Sequence, residues 1–439
     1  MDDHSASNRD PSLEGSTQMN KITKSTAAKT AGSPRSRGYL VYLIIFMGLV
    51  ALMDQYLSTI KTTALPYILE EYNITPTQFS NLEGIFFILT FFIFLLNSLV
   101  DRIGRKYSIL FLVLIMGLAS AGIVLFSNTI YWFMILYTLV VFATVSNMWS
   151  IPISEESPNQ KRGKYVALVY ILGLIPLQAL LPPLLMNTLG LSWKWMYGVM
   201  SLFMLPLLVM WLFMKETHRY EVIHKERQEG TRKNHLFGIG VINKTDIRYI
   251  IISASIWLCW LVYQFFYFWL GYYFMTIKGY TLGQWSTVLL VTLLVAMGAG
   301  FLSGSIMDKL GRKPTLVMGY LGLSAVLVML AFSNGILLPI ATVLIGFFTS
   351  FTYTWIVVYI PEIFPTERRG ACIGWTTTLA RISYVVGPFL VGWLLKLFPT
   401  MEWFWVAAAV IVLLPIGIVL FFKPAETRTQ DLDAIEGSR

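Results

Sequence analysis

The chain has 439 residues, of which 56% are hydrophobic and only 13% are charged, and its formal net charge is +9. Soluble globular proteins contain about 25% charged residues, so this composition excludes a water-soluble fold. Apolar runs of about 18–25 residues recur along almost the whole sequence, and a helix needs about 20 residues to cross a bilayer. Because the runs are continuous rather than alternating, they also exclude a membrane β-barrel.

The apolar runs predict an all-α integral membrane protein with twelve transmembrane helices. In chain order we expect a disordered cytoplasmic tail, a six-helix bundle, a cytoplasmic linker, a second six-helix bundle and a cytoplasmic tail, at residues 1–38, 39–214, 215–248, 249–422 and 423–439. The first run is too long for a signal-peptide core, so we expect helix 1 to be retained. Cys259 and Cys372 fall in or beside predicted helices, which favours packing roles over a disulfide or metal site.

The basic residues are distributed unevenly across the two sides of the predicted membrane. Of the 33 Lys and Arg residues, 28 fall in the tails or in the loops after even-numbered helices, and only Lys61, Lys194, Lys278 and Lys396 fall on the other side. Cytoplasmic loops of membrane proteins are enriched in Lys and Arg, so both termini are predicted to face the cytoplasm. The positive charge therefore indicates topology and not a nucleic-acid partner.

The sequence contains an internal duplication with a fixed offset. The loop after helix 2, Asp101–Lys106, reads DRIGRK, and the loop after helix 8, Asp308–Lys313, reads DKLGRK, 207 residues later. The loops that begin at Glu155 and Glu362 also match at an offset of 207. Since each matched pair lies on the same side of the membrane, the two bundles are predicted to be parallel repeats with a solute site between them.

The doubled DRxGRK loop resembles the signature loop of the major facilitator superfamily of transporters. The stretch Pro361–Gly370, which reads PEIFPTERRG, is similar to a motif of the sugar-porter and organic-ion branches. The resemblance covers roughly residues 39 to 435 and implies alternating-access transport of a small solute by a protein expected to be a monomer in the cell membrane. No cofactor is expected.

The charged residues of the four matched loops are predicted to act as gates. Asp101 with Arg105, and Asp308 with Arg312, are expected to form ion pairs between helix ends, and Glu155 with Arg162 and Glu362 with Arg369 are expected to do the same. Glycine permits the tight turns that these loops need. The full set of gating candidates is Asp101, Arg102, Gly104, Arg105, Lys106, Asp308, Gly311, Arg312, Lys313, Glu155, Arg162, Glu362 and Arg369.

Three ionisable residues are predicted to lie inside membrane helices, where they mark function by default. Asp54 lies about 15 residues into helix 1, roughly 22 Å along it, and is the main proton-coupling candidate. Glu83 lies one turn into helix 2 from outside, where we expect water to reach it, and is the second candidate. No histidine falls in a membrane helix, which excludes a histidine proton relay.

Arg381 is the third buried charge and lies about 16 Å into helix 11, close to the midplane. Thr377 and Tyr384 share its helix face at i−4 and i+3, and a guanidinium can grip a carboxylate with two hydrogen bonds. The stretch Thr378–Ser383 resembles helix 11 of organic-anion transporters, which implies a substrate ligand. The alternative is a permanent salt bridge to Asp54 or Glu83. Helix 1 resembles the DxY of proton-coupled metabolite symporters, although their second Asp would fall at Leu57.

Other polar and aromatic residues in the predicted helices could line a cavity. The complete set of substrate-binding candidates is Arg381, Gln178, Asn147, Trp149, Tyr263, Gln264, Tyr353, Trp355, Thr377 and Tyr384.

These observations favour a proton-coupled symporter for a small organic acid. A sugar symporter or facilitator is the alternative. It is supported by the Pro361–Gly370 loop, by the stretch Glu426–Ile435, which resembles the tail that follows helix 12 in sugar porters, and by Gln178 and Gln264 as possible hydroxyl ligands. A transporter-like membrane sensor is a remote alternative, since the tail and linker are too short and polar to form domains. The sequence contains no HExxH, GxSxG or phosphate-loop motif, so we do not expect an enzyme.

Overall fold

The computed structural model describes residues 36–92, 103–146, 148–158, 162–229, 242–364, 369–424 and 426. Every regular element in these ranges is helical. We give one name to a helix that a short break interrupts. The first half of the chain contains α1 (Arg37–Thr59, then Lys61–Glu71), α2 (Pro76–Phe86, then a 3₁₀ turn Phe87–Phe92), α3 (Arg105–Phe126), α4 (Ile130–Thr144 and Ser150–Glu156), α5 (Arg162–Gly173, Leu177–Pro183 and the π-helical Leu184–Thr188) and α6 (Trp195–Phe213).

A helix in the linker, His218–Gln228, precedes the second half. That half contains α7 (Lys244–Tyr267, Leu270–Tyr272 and the π-helical Tyr273–Ile277), α8 (Leu282–Leu310), α9 (Arg312–Phe332), α10 (Leu337–Glu362), α11 (Arg369–Ala380 and Ser383–Leu397) and α12 (Met401–Ile411 and Leu414–Phe422). In the described part of the chain, ten helices are long and apolar enough to cross a membrane. The apolar part of α4 is shorter, and α2 is described only as far as Phe92.

Two pairs of equivalent helices, one helix of each pair in each half, begin with the same local structure. Thr75 caps α2 and Thr281 caps α8, each through a capping box with the glutamine three residues later, Gln78 or Gln284. Such a box satisfies backbone N–H groups that a helix start otherwise leaves unpaired. At the other end of the bundle, α3 and α9 each begin after a glycine with positive φ, +92° and +100° respectively.

We name the two ends of the bundle by the helices that begin at each end. The basic end is where α3 and α9 begin, at Arg105 and Arg312; the opposite end is where α2 and α8 begin, after Thr75 and Thr281. Helix α1 starts at the basic end and continues to Glu71. The first apolar run predicted a helix over Tyr39–Ile60, so α1 is eleven residues longer at this end than expected.

The two halves close against each other near the opposite end. Pro66 has no N–H, so the carbonyl of Thr62 four residues earlier loses its helical hydrogen bond. Gly271 lies against this carbonyl so closely that a methyl group there would be 1.8 Å from the oxygen. Beside it, the indole nitrogen of Trp285 donates a 3.0 Å hydrogen bond to the hydroxyl of Thr63. We call these four residues with Pro66 the seal.

Replacing Gly271 with alanine tests the seal. The added methyl group must push α7 away from the backbone of α1, so we expect Gly271→Ala to lower the free energy of unfolding by about 1–3 kcal/mol. Thermal unfolding of the purified protein in detergent measures the change. Gly283→Ala is the matched control, because no atom lies within 4 Å of a methyl group at that position. Equal stability of the two variants would show that the close approach is not tight.

Candidate functional site

A cavity of about 320 Å³ lies between the two halves. Helices α1, α2, α4 and α5 supply one wall, and α7, α8, α10 and α11 supply the other. Six predicted site residues line it: Asp54, Gln264, Tyr353, Thr377, Arg381 and Tyr384. The sequence therefore identified the carboxylate and the guanidinium that this cavity contains.

Asp54 is a buried carboxylate with one unused oxygen. Its Oδ2 accepts a hydrogen bond of 3.2 Å from the side-chain amide of Gln55. Its Oδ1 is buried and makes no hydrogen bond of good geometry with any described residue, although the indole of Trp149 lies close enough to interact with the carboxylate. Burying a charged carboxylate without full compensation is costly, which favours the protonated form.

Arg381 lies at the turn that separates the two sections of α11. Its Nη2 donates a hydrogen bond to the carbonyl of Val145, and this carbonyl lies where the first section of α4 ends. Helix C-termini carry partial negative charge, so a guanidinium is favourable there. Nη1 is buried and lacks a hydrogen bond to any residue that the structure describes. Within those residues Arg381 forms no salt bridge with Asp54 or Glu83, so the salt-bridge alternative receives no support from this geometry.

The structure contains a buried ion pair that the sequence interpretation missed. The Lys61 ammonium lies 2.5 Å from a carboxylate oxygen of Glu83, and both side chains are almost fully buried. The hydroxyl of Tyr137, a cavity residue, lies 3.5 Å from the same oxygen. From the second half, the rings of Phe268 and Phe265 cover the ammonium at 4.2 and 5.4 Å from their centroids.

Two expectations about these residues were wrong. Glu83 was placed within reach of water, and Lys61 was counted in an outer loop, whereas both lie inside the protein. The physical reason is the continuation of α1, which keeps Lys61 within the bundle and opposite α2. The apolar residues that follow Lys61 as far as Leu69 were the available signal.

Four predicted ligands lie away from the cavity lining, and a fifth is not described. Trp355 was predicted wrongly: its indole nitrogen donates to the backbone carbonyl of Arg312 at the basic end, at 2.6 Å. Tyr263 shares a 2.8 Å hydrogen bond with Thr349, which does line the cavity. Trp149 stacks on the cavity residue Tyr170, with ring centroids 6.3 Å apart. Gln178 is buried in α5, and Asn147 lies outside the described residues.

Helix α7 supplies six of the 22 lining residues that sequence reasoning missed, more than any other helix. Its residues recur at helical spacing and surround the predicted Gln264: Trp257, Trp260, Leu261, Gln264 and Phe268. This i, i+3, i+4, i+7 pattern marks a single helix face. An aromatic face with one amide was the signal that could have identified this wall.

At the basic end, a charged cluster joins three segments of the first half. Arg105 binds Glu155 through Nη2 at 2.8 Å and through Nε at 3.1 Å. The backbone N–H groups of Arg105 and Lys106 donate to the carboxylate of Glu216, at 2.9 and 3.2 Å. Thr217 donates to Glu155 at 2.6 Å. A carboxylate at a helix N-terminus is favourable because the first N–H groups there have no helical partners.

The second half repeats the cluster. Arg312 binds Glu362 through Nη2 at 2.7 Å and through Nε at 3.0 Å. The backbone N–H groups of Arg312 and Lys313 donate to Glu426 at 2.8 and 3.0 Å. Each position lies 207 residues after its counterpart, except that Glu426 lies 210 residues after Glu216. The structure thus places equivalent residues in equivalent contacts.

The pairing partners differ in part from those expected. Asp308 does contact Arg312, at 3.4 Å, as expected. Asp101 and Arg102 lie outside the described residues, as does the side chain of Arg162, and the observed partner of Arg105 is Glu155 from α4. Glu216 and Glu426 were not predicted as partners. Each lies more than one hundred residues along the chain from the helix start that it contacts.

The sequence pattern of the Major Facilitator Superfamily matches residues 44–339 and 299–438 of the chain. The chain belongs to this superfamily. The resemblance inferred from the doubled loop is therefore confirmed, as are the all-helical membrane fold and the prediction that the protein is a transporter of its family and not an enzyme.

Individual superfamily members agree with this assignment but differ in what they carry. A putative niacin/nicotinamide transporter of Bacillus subtilis is 24% identical over 348 residues, 77% of this chain and 84% of the relative. The benzoate transport protein of Acinetobacter baylyi is 23% identical over 397 residues, 81% and 83% of the two chains. The solved xylose transporter of E. coli superposes with a TM-score of 0.69 at 18% identity, covering 91% of this chain and all of that one.

Removing one partner of the buried Lys61–Glu83 pair leaves an uncompensated charge. We expect Lys61→Met or Glu83→Gln alone to lower the free energy of unfolding by about 3–5 kcal/mol, and the double variant to recover much of this loss. Unfolding in detergent micelles measures the cycle. Lys278→Met, which removes a more exposed pair with Glu402 at 3.9 Å, is the control and should cost about 1 kcal/mol or less. Additive single effects would show that the two charges are not coupled.

Proposed function

We propose that the protein is a secondary active transporter that couples proton movement to the transport of a small organic acid by alternating access. The observation that carries this proposal is the pair of unused polar atoms at the cavity, Asp54 Oδ1 and Arg381 Nη1. A buried polar atom without a partner is costly, and such atoms in a cavity between two moving halves suit a transported ligand.

Arg381 is the proposed carboxylate ligand. A guanidinium offers several N–H groups in a fixed plane, and the bond to Val145 occupies only one of the two terminal nitrogens. A bound carboxylate would satisfy Nη1 and neutralise a charge that no acidic side chain pairs with in the described cavity. Tyr384 and Thr377, which also line the cavity, add hydroxyl groups on the same helix.

Asp54 is the proposed proton carrier. A buried carboxylate with one amide donor gains by taking up a proton, and exposure to water on the other side of the membrane would favour its release. Glu83 is a weaker candidate than the sequence suggested, because Lys61 already compensates its charge. We therefore assign proton coupling to Asp54.

The membrane topology that we propose for the protein is the one that the sequence predicts. We propose twelve membrane helices in two parallel repeats, residues 39–214 and 249–422, with the linker 215–248 and both termini on the cytoplasmic side of the cell membrane. The duplicated clusters and the duplicated capping boxes support the repeat. The expected disordered tail, residues 1–38, lies mostly outside the described residues, and α1 begins within it at Arg37. The protein is proposed to act as a monomer.

The transport proposal is tested in liposomes by counterflow and by uptake under an imposed inward proton gradient. We expect wild type to concentrate organic acids only with the gradient. Asp54→Asn should still exchange acid but fail to concentrate it, because the exchange needs no net proton movement. Arg381→Ala should weaken acid binding by a factor of 10 or more, as expected for losing a buried charged partner, and Arg381→Lys should retain part of the affinity.

A sugar transporter is the second candidate. Amide and hydroxyl groups in the cavity, including Gln55, Gln264, Ser58 and Thr144, could bind sugar hydroxyls, and a glucose transporter of Staphylococcus epidermidis is 26% identical to this chain over 383 residues. Sugar exchange that ignores the gradient and survives both substitutions would support this reading and contradict ours. Transport of neither class would favour the sensor alternative.

In our proposal, the charged clusters at the basic end contribute to gating by making each half of the protein rigid. Each cluster joins helices of a single half, so it stabilises that half as a rigid body while the two halves rock around the cavity. The glycines Gly104 and Gly311 allow the sharp turn at each cluster, since both have positive φ. Arg369, whose Nε donates to the carbonyl of Phe364 at 3.2 Å, extends the second cluster region.

Weakening one cluster tests this role. Glu155→Gln and Glu362→Gln should each reduce the maximal transport rate several-fold, with little change in the apparent affinity, because the cluster is remote from the cavity. Initial uptake rates at varied solute concentration separate the two parameters. Glu402→Gln, which removes a partly exposed carboxylate at the opposite end, is the control. A pure change in affinity would contradict the proposal.

A further inference from the structure

The cavity is unusually rich in aromatic side chains. Ten of its 28 lining residues are Phe, Tyr or Trp, whereas these residues make up 15% of the chain. They come from both halves: Phe87, Tyr137, Tyr170, Trp257, Trp260, Phe265, Tyr267, Phe268, Tyr353 and Tyr384. An aromatic lining of this density favours a ligand with a flat apolar surface.

One part of this lining forms an ordered wall. The rings of Trp260 and Tyr353 stack with their centroids 4.8 Å apart and their planes inclined by 30°. The indole nitrogen of Trp260 donates a 3.2 Å hydrogen bond to Thr352, which restrains the ring. The wall joins α7 to α10, so it belongs entirely to the second half. A restrained aromatic pair offers a ring-shaped ligand a surface that loses little freedom on binding.

Aromatic rings also surround the position of Arg381. Tyr384, one turn after Arg381, meets Phe265 edge-on with centroids 5.6 Å apart, and Phe87 with centroids 6.2 Å apart. The guanidinium therefore lies beside an aromatic cluster, and it is the one cationic group among the described lining residues. Such a site suits a ligand that is charged at one end and apolar over its body.

The charge of the site limits the ligand to one carboxylate. Lys61 is paired with Glu83, which leaves Arg381 as the unpaired cation among the described lining residues. A second carboxylate on the ligand would be buried without a partner and near Asp54, which is costly. The cavity of about 320 Å³ is at the lower end of the roughly 300–1,000 Å³ of small-molecule sites, so the ligand is small.

We infer that the transported solute is a small aromatic or heteroaromatic monocarboxylate, with its carboxylate on Arg381 and its ring against the Trp260–Tyr353 wall. This inference rests on the proposed function and narrows it. Stacking distinguishes such an acid from an aliphatic acid of the same charge, and the single cation distinguishes it from dicarboxylates and sugars.

The test compares two ring acids of the same carbon number and charge, one with a flat aromatic ring and one with a saturated ring. Benzoate and cyclohexanecarboxylate are titrated into the purified wild-type protein by calorimetry, together with hexanoate, succinate, glucose and benzylamine. We expect benzoate to bind up to about tenfold more tightly than cyclohexanecarboxylate, since ring stacking adds to burial of the same apolar area. Succinate and glucose should bind more weakly than either acid.

Variants assign the preference to the wall. Trp260→Leu should bring the benzoate to cyclohexanecarboxylate ratio close to one, whereas Trp260→Phe, which retains a ring, should keep most of it. Trp393→Leu is the control, because Trp393 is exposed in α11 and does not line the cavity. A ratio that Trp260→Leu leaves unchanged while the protein remains folded would overturn the assignment to this wall.

The possible failures can be told apart. If both ring acids bind equally in wild type, the aromatic inference fails and the organic-acid proposal stands. If glucose binds and no acid does, the proposed function itself fails. Tighter binding of benzylamine than of benzoate would overturn both, since the site would then recognise a cation through Asp54.

Discussion

The bilayer core offers no water to polar groups, and most of this structure follows from that constraint. The described membrane segments are helical apart from short breaks, and the carbonyl that Pro66 releases lies against Gly271. The ammonium of Lys61 is paired with Glu83 and covered by aromatic rings. One nitrogen of Arg381 reaches the free carbonyl at the end of a broken helix. The packing of the helices therefore places each of these polar groups next to another group of the protein.

The two charged exceptions to this arrangement are informative because both belong to residues that line the cavity. Asp54 and Arg381 each retain an unpartnered atom, and both residues line the cavity between the halves. Other buried hydroxyl and indole groups also lack hydrogen bonds, Tyr273 and Trp405 among them, but they are neutral and leaving them unpaired costs less. A carboxylate and a guanidinium that each lack a hydrogen-bond partner beside a cavity indicate a binding site, whereas unpaired neutral groups are compatible with ordinary packing.

Part of the fold and of the site could be predicted from the sequence. The 207-residue offset depends on short, contiguous motifs, so the equivalence of Arg105 and Arg312 was visible without coordinates. Asp54 and Arg381 were visible because a charge in an apolar run is rare. The partners of these groups were not visible, because Glu216, Glu426 and Val145 are brought to them by the packing of distant helices. Lys61 was misplaced because the helix was expected to end with the apolar run at Ile60, whereas it continues as Lys61–Glu71.

The composition of the seal has a consequence for how the protein responds to its surroundings. The seal consists of backbone, a hydroxyl and an indole, and the nearby ion pair is dry, so dissolved salt has little access to either. At the basic end, Asp308 is mostly exposed and Glu362 partly so, and mobile ions can weaken their attraction for Arg312. Ionic strength therefore weakens contacts within the second charged cluster, whereas the contacts of the seal between the two halves are insensitive to it.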